Sequence, residues 1–234
     1  MKKITLAFLG LILLAGSAFA DTTNIGLKLS YGNFDASGGH TTNSNGVGST
    51  AINFVDGPSG GPKLNSSGDA TFPFASLFLE REKELTNLNL ALGLDFIPLT
   101  AEIDKLGGGD GTDATVKVGN QITLYVQPSK ELSNGLKVFG KLGYSRMSLD
   151  ISEVTQQATS AGTASTDGST SKNLDGVTVG LGVEKSVSVG PFDFIRLEAS
   201  YTDYDSVSHT NSNGKILTAD ADLTAMNLSI GKKF

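Results

Sequence analysis

The sequence predicts an all-β fold, an eight-stranded antiparallel up-and-down transmembrane β-barrel. Three observations predict it. Apolar residues alternate with small or polar ones in many short segments, short connections alternate with long polar ones, and glycine is abundant. Glycine supplies 29 of the 234 residues, and such a content disfavours long helices.

The N-terminus has the three-part layout of a secretory signal peptide. In "MKKITLAFLGLILLAGSAFA", two lysines precede an apolar run that begins at Ile4, and small residues end at Ala18-Phe19-Ala20. This layout predicts cleavage after Ala20 and export of residues 21–234. The apolar run is shorter than the roughly 20 residues of a spanning helix, which disfavours a retained anchor.

Composition excludes several kinds of site. The chain has no cysteine, so disulfides and thiolate metal sites cannot form. Its net charge of −6 disfavours binding to polyanions, and nucleic acid is not an expected partner. We expect neither a cofactor nor a metal site.

Strict alternation is clearest in "LNLALGLDF", residues 88–96, where leucines and Phe96 share one face and Asn89, Ala91, Gly93 and Asp95 share the other. A period of two over nine residues is typical of a β-strand. Similar segments predict a total of eight strands. They lie near residues 25–31, 72–82, 88–96, 122–126, 136–144, 177–183, 195–201 and 226–234.

The connections between these segments alternate in length. Short links near residues 83–87 and 130–134 share the pattern Lys-Glu-Leu-Thr/Ser-Asn, which indicates a repeated strand-turn-strand unit. Long polar segments lie near residues 35–70, 100–117, 152–173 and 205–217. Short turns and long loops are therefore expected at opposite ends of the barrel. An extra hairpin at residues 50–55 would raise the count to ten strands.

A water-soluble barrel of the lipocalin type also shows period-two alternation. The composition of the two strand faces must therefore distinguish a soluble barrel from a membrane barrel. The polar faces carry small residues and isolated charges, too small and too few for a solvated exterior. Their glycines are Gly93, Gly143, Gly180, Gly182 and Gly231. This composition favours a membrane barrel with an apolar outer wall and a lumen of small and polar residues.

The chain ends in "LTAMNLSIGKKF", inside a predicted strand. In hydrocarbon every backbone N–H and C=O must be paired, so an open sheet edge is forbidden. We therefore expect the last strand to close the barrel against the strand that begins near Asn24. Its apolar face carries Met226, Leu228 and Ile230, and terminal Phe234 is expected at the membrane interface.

With its leader, alternating strands and strand-final Phe234, the sequence resembles the small outer-membrane β-barrels of Gram-negative bacteria. These are of the OmpA, OmpX and opacity-protein type, often called the porin family, and the resemblance covers residues 21–234. It implies an outer-membrane location, contact with outer-membrane lipids, and recognition of Met226, Leu228, Ile230 and Phe234 by the barrel-assembly machinery. Lys232 departs from the apolar residue common there.

Charged residues on the polar faces point to the lumen. They are Asp95, Lys137, Lys141, Glu184, Arg196 and Glu198. Two interpretations are open: an internal salt-bridge network that plugs the barrel, or an ion-conducting pore. The plug is favoured because an eight-stranded barrel is only wide enough to be filled by its own side chains.

We expect a non-enzymatic barrel with an envelope-structural, adhesion or receptor role, its loops facing an extracellular ligand, a host surface or a phage. A narrow passive channel for small or hydrophobic solutes is an alternative. A further alternative is a rim-active lipid A enzyme centred on His209 with Asp205, Ser206 and Ser208. His40 is the only other histidine. Because Ser and Asp abound in these loops, no catalytic residue is assigned.

Overall fold

The computed structural model describes residues 22–41, 49–51, 67–107, 112–159, 162–210 and 216–234, and the predicted signal peptide, residues 1–20, lies outside them. The described residues form only β-strands and turns. The strands are β1 Thr22–Thr41, β2 Ser49–Ala51, β3 Ser67–Glu84, β4 Asn89–Gly107, β5 Thr112–Glu131, β6 Leu136–Thr159, β7 Gly162–Val189, β8 Phe192–Thr210 and β9 Ile216–Lys233. No helix in these ranges is long and apolar enough to cross a membrane.

Eight strands close into an antiparallel barrel, as predicted. Neighbours along the wall are β1, β3 and then β4 to β9 in chain order, and β9 returns to pair with β1. At the seam, the Thr23 amide donates to the Phe234 carbonyl over 3.0 Å, and the Phe234 amide donates to the Thr23 carbonyl over 2.9 Å. The C-terminal residue is therefore held by the backbone of the first strand.

The strands are strongly tilted. A path that starts at Asp35 on β1 and steps from each residue to its cross-strand partner goes once around the barrel. It returns to β1 at Ile25, a displacement of ten positions along the strand, 35 minus 25. With eight strands this stagger corresponds to a tilt of roughly 40°. The barrel is accordingly narrow, and side chains from opposite walls can meet.

The apolar faces of the strands point outward. Leu29 is 64% exposed and Leu181 is 73% exposed. On the inner face of the wall Arg196 is only 2% exposed. This arrangement is the reverse of a water-soluble barrel, which buries its apolar side chains in the centre. The lipocalin-like alternative is therefore wrong for the fold.

The strands at the long-loop end extend further than the composition suggests. β6 and β7 remain paired as far as Thr159 and Gly162, within the stretch expected to be a polar loop. Backbone pairing needs no apolar side chain, so Ser- and Thr-rich segments can continue a ladder that apolar neighbours begin. At residues 49–51 there is one short strand, β2, which pairs with the end of β1. Residues 52–55 of the possible extra hairpin lie outside the described ranges.

The lumen also contains large rings, which the prediction of small and polar residues did not include. Three phenylalanine rings lie over glycines of the adjacent strand. The pairs are Phe78 with Gly26, Phe139 with Gly182 and Phe194 with Gly231. A Cβ at each of these glycines would come within 2.3 to 2.4 Å of a ring atom. Glycine is thus needed so that each ring can lie flat against the wall.

We expect Gly182→Val to destabilise the barrel by about 1–3 kcal/mol, the usual cost of overpacking. The added Cβ would lie 2.3 Å from the Phe139 ring and 2.5 Å from the Leu197 carbonyl oxygen. Gly140→Val is the matched control, since its nearest contact would be an ordinary 3.8 Å from Leu181. Urea unfolding of both variants in detergent measures the difference, and equal midpoints would contradict the packing assigned to Gly182.

Candidate functional site: the charged lumen

Arg196 on β8 lies at the centre of the lumen near the short-turn end. Its Nη1 donates to Glu80 Oε1 over 2.7 Å, and its Nη2 donates to Glu80 Oε2 over 2.9 Å. The same Nη2 donates to Glu184 Oε2 over 2.8 Å. All three side chains are at most 2% exposed. Because β8 and β3 are separated by two other strands, this bidentate pair spans the interior.

Aromatic rings enclose the guanidinium group of Arg196. Its Cζ lies 5.0 Å from the centroid of Phe139, 5.2 Å from that of Phe194 and 5.4 Å from that of Phe78. These are the rings that lie over glycines. Planar rings around a guanidinium exclude water and add cation–π attraction. The result is a plug in which aromatic rings enclose the guanidinium side of the ion pair, while Tyr125 Oη donates to Glu80 Oε1 over 2.7 Å.

A second group of charges lies between this plug and the short turns. Lys137 Nζ donates to Glu82 Oε1 over 2.7 Å, and Lys233 Nζ donates to Glu184 Oε1 over 3.0 Å. Asn24 on β1 donates to the carboxylate of Glu82 over 3.2 Å. Each carboxylate here therefore has a cation, which offsets part of the cost of burying it.

A third group of charges lies on the long-loop side of Arg196. Lys141 Nζ donates to Glu198 Oε2 over 2.5 Å and lies 4.3 Å from the ring centroid of Tyr125. Lys28 pairs with Asp95. Among the described residues, five acidic and five basic side chains pair inside the barrel. An interior balanced in this way has no net charge with which to select ions.

Beyond these pairs the lumen opens into a polar chamber. The space enclosed by its walls, including the part open to solvent, is about 420 Å³. Beside the chamber, four hydroxyl groups form a ladder across β5 to β8, with oxygen separations of 2.6 to 2.8 Å. They belong to Thr123, Ser145, Thr178 and Thr202. The ladder satisfies these buried hydroxyls mutually.

The lumen becomes apolar at the end of the barrel opposite the short turns, where strand pairs such as β6 and β7 extend into long hairpins. A buried cluster there includes Phe34, Phe74, Val118, Met147, Leu149, Leu174, Tyr204, Leu223 and Ala225. Tyr204 Oη donates to Gln121 Oε1 over 2.9 Å, which marks the boundary between the polar chamber and this cluster. Composition did not indicate an apolar inner layer, because these residues come from seven strands.

One group of charges on the outer surface lies toward the long-loop end, beyond the exposed apolar residues of the wall, which form the apolar belt. Arg146 Nε and Nη2 donate to Asp175 over 2.5 and 2.9 Å, and these hydrogen bonds lower the pKa of the Asp175 carboxyl. Asp35, Asp222 and Asp203 pair across three neighbouring strands. Burial raises the pKa of Asp222, and the facing carboxylates of Asp35 and Asp203 raise it further.

The structure places all six predicted lumen charges inside the barrel: Asp95, Lys137, Lys141, Glu184, Arg196 and Glu198. Sequence reasoning missed several of their partners. Glu80 and Glu82 lie on β3, where apolar side chains occur on both faces, so the facing of that strand could not be read. Lys28 could have been found, since it lies between outward Leu27 and Leu29.

The C-terminal residues lie on the outer surface of β9. Met226, Leu228 and Phe234 are exposed, and Ile230 is half-buried. The backbones of His40 and His209 both pair with Leu217, but their side chains lie outside those described. No group of three or more His, Cys, Asp or Glu in the described residues could hold a metal ion.

No protein-family model matches the sequence, and no curated protein matches it. Several solved structures are similar in fold. They include Ail, the attachment invasion locus protein of Yersinia pestis, in complex with sucrose octasulfate, at 13% identity and a TM-score of 0.40, covering 91% of this chain and 99% of that one. Outer membrane protease OmpT from Escherichia coli is 11% identical with a TM-score of 0.38, and the match covers 91% of this chain and 97% of OmpT. Neisserial surface protein A is 11% identical with a TM-score of 0.30, and the match covers 86% of this chain and 96% of that protein.

We expect Arg196→Met to destabilise the protein by about 3–5 kcal/mol, because it leaves the buried Glu80 carboxylate without its cation. Arg146→Met is the matched control. Its exposed pair with Asp175 should contribute no more than about 1 kcal/mol. Chemical unfolding in detergent compares the two. Adding Glu80→Gln to Arg196→Met should recover part of the loss, and an unchanged double variant would contradict the role given to this pair.

Proposed function

We propose that this protein is a non-enzymatic integral barrel of the bacterial outer membrane, with an envelope-structural, adhesion or receptor role. The observation that supports the proposal is a closed barrel with an apolar outer wall around a charge-balanced interior. The short turns would face the periplasm, and the long hairpins would present their tips at the cell surface.

The outer wall has the features that a bilayer requires. Exposed apolar residues occur on all eight strands of the barrel, and they include Leu29, Leu77, Leu90, Val126, Leu142, Leu181, Leu197 and Leu228. Tyr31, Tyr144 and Tyr201 lie at the upper margin of this belt, below the Arg146–Asp175 pair and the row of aspartates. Aromatic residues at the border between an apolar band and charged positions are typical of membrane barrels.

The arrangement of charges in the interior favours a closed barrel and disfavours a channel. A water-filled path would have to pass Arg196, whose guanidinium group is bound to carboxylates and enclosed by rings. Opening that path would separate buried charges, which costs several kcal/mol per ion. A channel for polar solutes is therefore disfavoured. The long hairpins are then the surfaces most available to a partner.

Leu181→Arg tests membrane insertion. Leu181 is 73% exposed on the outer face of β7, about midway along the apolar belt. We expect a cost of about 2–4 kcal/mol for arginine at this depth. Asn173→Arg is the matched control on the same strand and face. It lies two positions from Asp175 of the Arg146–Asp175 pair, at the border of the apolar belt, and should cost only about 0–1 kcal/mol. Urea unfolding from phospholipid vesicles measures both, and equal stabilities would contradict the placement of the belt.

Planar-bilayer recordings test the sealed interior. The wild-type protein is expected to show no stepwise conductance, because Arg196 and Glu80 span the lumen. Replacing both residues by serine removes the pair without leaving either charge alone, and conductance should rise. Regular conductance steps from the wild-type protein would favour the channel alternative instead.

Removing Phe234 tests recognition by the assembly machinery. The deletion also removes the two backbone hydrogen bonds to Thr23, so its effect on folding alone must be measured. We expect a large fall in heat-modifiable, folded barrel in cells and a small change in refolding from urea into detergent. Phe234→Tyr, which keeps the ring and the backbone bonds, is the control. Equal losses in cells and in detergent would show that the residue acts only through stability.

A further inference from the structure

The outward-facing charges of the barrel wall are segregated by sign between its two ends. Near the short turns, outward strand positions carry mostly cations, which are Arg81, Lys83, Lys130, Lys185 and Lys232, with the carboxylate of Asp193 beside them. Glu84 and Glu131 lie at the turns, on strand positions that alternate toward the lumen. At the opposite end, outward positions carry mostly carboxylates, which are Asp35, Asp150, Asp175, Asp203 and Asp222, with the cation of Arg146 beside them. The described outer wall is therefore basic at the short-turn end and acidic at the long-loop end.

Three of the cations flank the first residues of β1, where the barrel closes. Arg81 on β3 pairs with Thr23 on one side of β1, and Lys232 on β9 pairs with Ile25 on the other side. Lys83 lies two positions beyond Arg81 on the same face of β3. Only β1 separates β3 from β9, a span of about 10 Å. The long side chains of Arg81 and Lys232 can therefore reach one anion that lies over β1.

Apolar surface begins directly next to these cations. The outward residues that follow along the three strands are about half exposed: Ile25 and Leu27 on β1, Leu77 on β3 and Leu228 on β9. Alternate residues of a strand are about 7 Å apart, so positive charge and hydrocarbon are neighbours on this part of the wall. A phospholipid has the same order of chemistry, with a charged headgroup next to its acyl chains.

The ammonium group of Lys232 is accessible from outside. Its side chain is 45% exposed, and its Nζ lies 3.6 Å from Asp193 Oδ2, in a side chain that is 41% exposed. Exposed ion pairs contribute little to stability. Nζ also lies 5.7 Å from the ring centroid of Phe234. An anion can thus approach Lys232 without breaking a buried contact.

We propose that the seam formed by β9, β1 and β3 binds the headgroup of an anionic phospholipid in the leaflet on the short-turn side. Arg81 and Lys232 are its charged contacts, and its acyl chains lie along Ile25 and Leu27. The proposal rests on the membrane location proposed above. The acidic outer wall at the other end repels the same headgroup, so the protein distinguishes the two leaflets by charge. The site also gives a role to Lys232, the residue that departs from the apolar pattern of the last strand.

The sequence contains no tryptophan, so a single introduced indole can report on the lipid next to it. Ile25→Trp places this reporter at the seam. Tyr201→Trp places it at the acidic end, on the same strand and face as Asp203. Each protein is purified from membranes, checked for heat-modifiable mobility and reconstituted into phosphatidylcholine vesicles. Phosphatidylglycerol or phosphatidylcholine with brominated acyl chains is then added in equal amounts, and quenching of the fluorescence is measured.

We expect brominated phosphatidylglycerol to associate with the Ile25→Trp reporter about fivefold more strongly than brominated phosphatidylcholine at low salt, the effect of roughly one cation at a membrane surface. The Tyr201→Trp reporter should show no such preference. Raising the salt concentration should reduce the preference at the seam, because ions screen exposed charges. A preference that salt leaves unchanged would overturn the electrostatic basis of the site.

Paired substitutions in the Ile25→Trp protein test the assigned contacts. Arg81→Gln with Lys232→Gln should abolish the preference. Lys130→Gln with Lys185→Gln removes the same charge elsewhere at the short-turn end and should leave the preference intact. Equal losses in the two double variants would overturn the seam site in favour of diffuse attraction, and a preference that survives the first would overturn its contacts.

The two brominated lipids also separate this proposal from the one on which it rests. Equal quenching of the Ile25→Trp reporter by both lipids would overturn the headgroup site while leaving the membrane location in place. If neither lipid quenched either reporter, the outer wall would not contact acyl chains, and both proposals would be overturned.

Discussion

Closure of the backbone hydrogen-bond ladder is the constraint on which the rest of this structure depends. Each strand needs a partner on both sides, and only the return of β9 to β1 supplies one for the two ends of the described chain. Closure places Phe234 in the seam, where its backbone exchanges two hydrogen bonds with Thr23. It also fixes which residues face inward, because a shift of one position along β9 would reverse every side chain on that strand.

The small bore that follows from eight strands determines the character of the interior. Side chains from opposite walls meet, so buried charges must pair with one another. Arg196 satisfies this requirement by binding Glu80 across the lumen and Glu184 on the neighbouring strand. The phenylalanine rings fit around it only because glycines face them on the adjacent strands. The glycines of the wall therefore make room for the rings that enclose the Arg196 ion pair.

The lumen is divided into layers that differ in chemistry. Paired charges lie nearest the short turns, a polar chamber with a hydroxyl ladder follows, and an apolar pocket lies under the long hairpins. In the charged layer, Arg196 on β8 binds Glu80 on β3 across the bore of the barrel. The apolar layer lies at the end of the lumen opposite the short turns, and it joins residues from seven strands.

The amino-acid sequence by itself determined the all-β class, the number of barrel strands and the direction in which most strands face. A period of two is local, so it can be read along "LNLALGLDF" without knowledge of any partner. The six lumen charges followed from the same alternation. Tertiary structure alone decided which charges pair, because Arg196 and Glu80 are 116 positions apart and come together only through barrel stagger. It also decided the facing of β3 and the inner apolar pocket, since both depend on residues that meet only when the barrel closes.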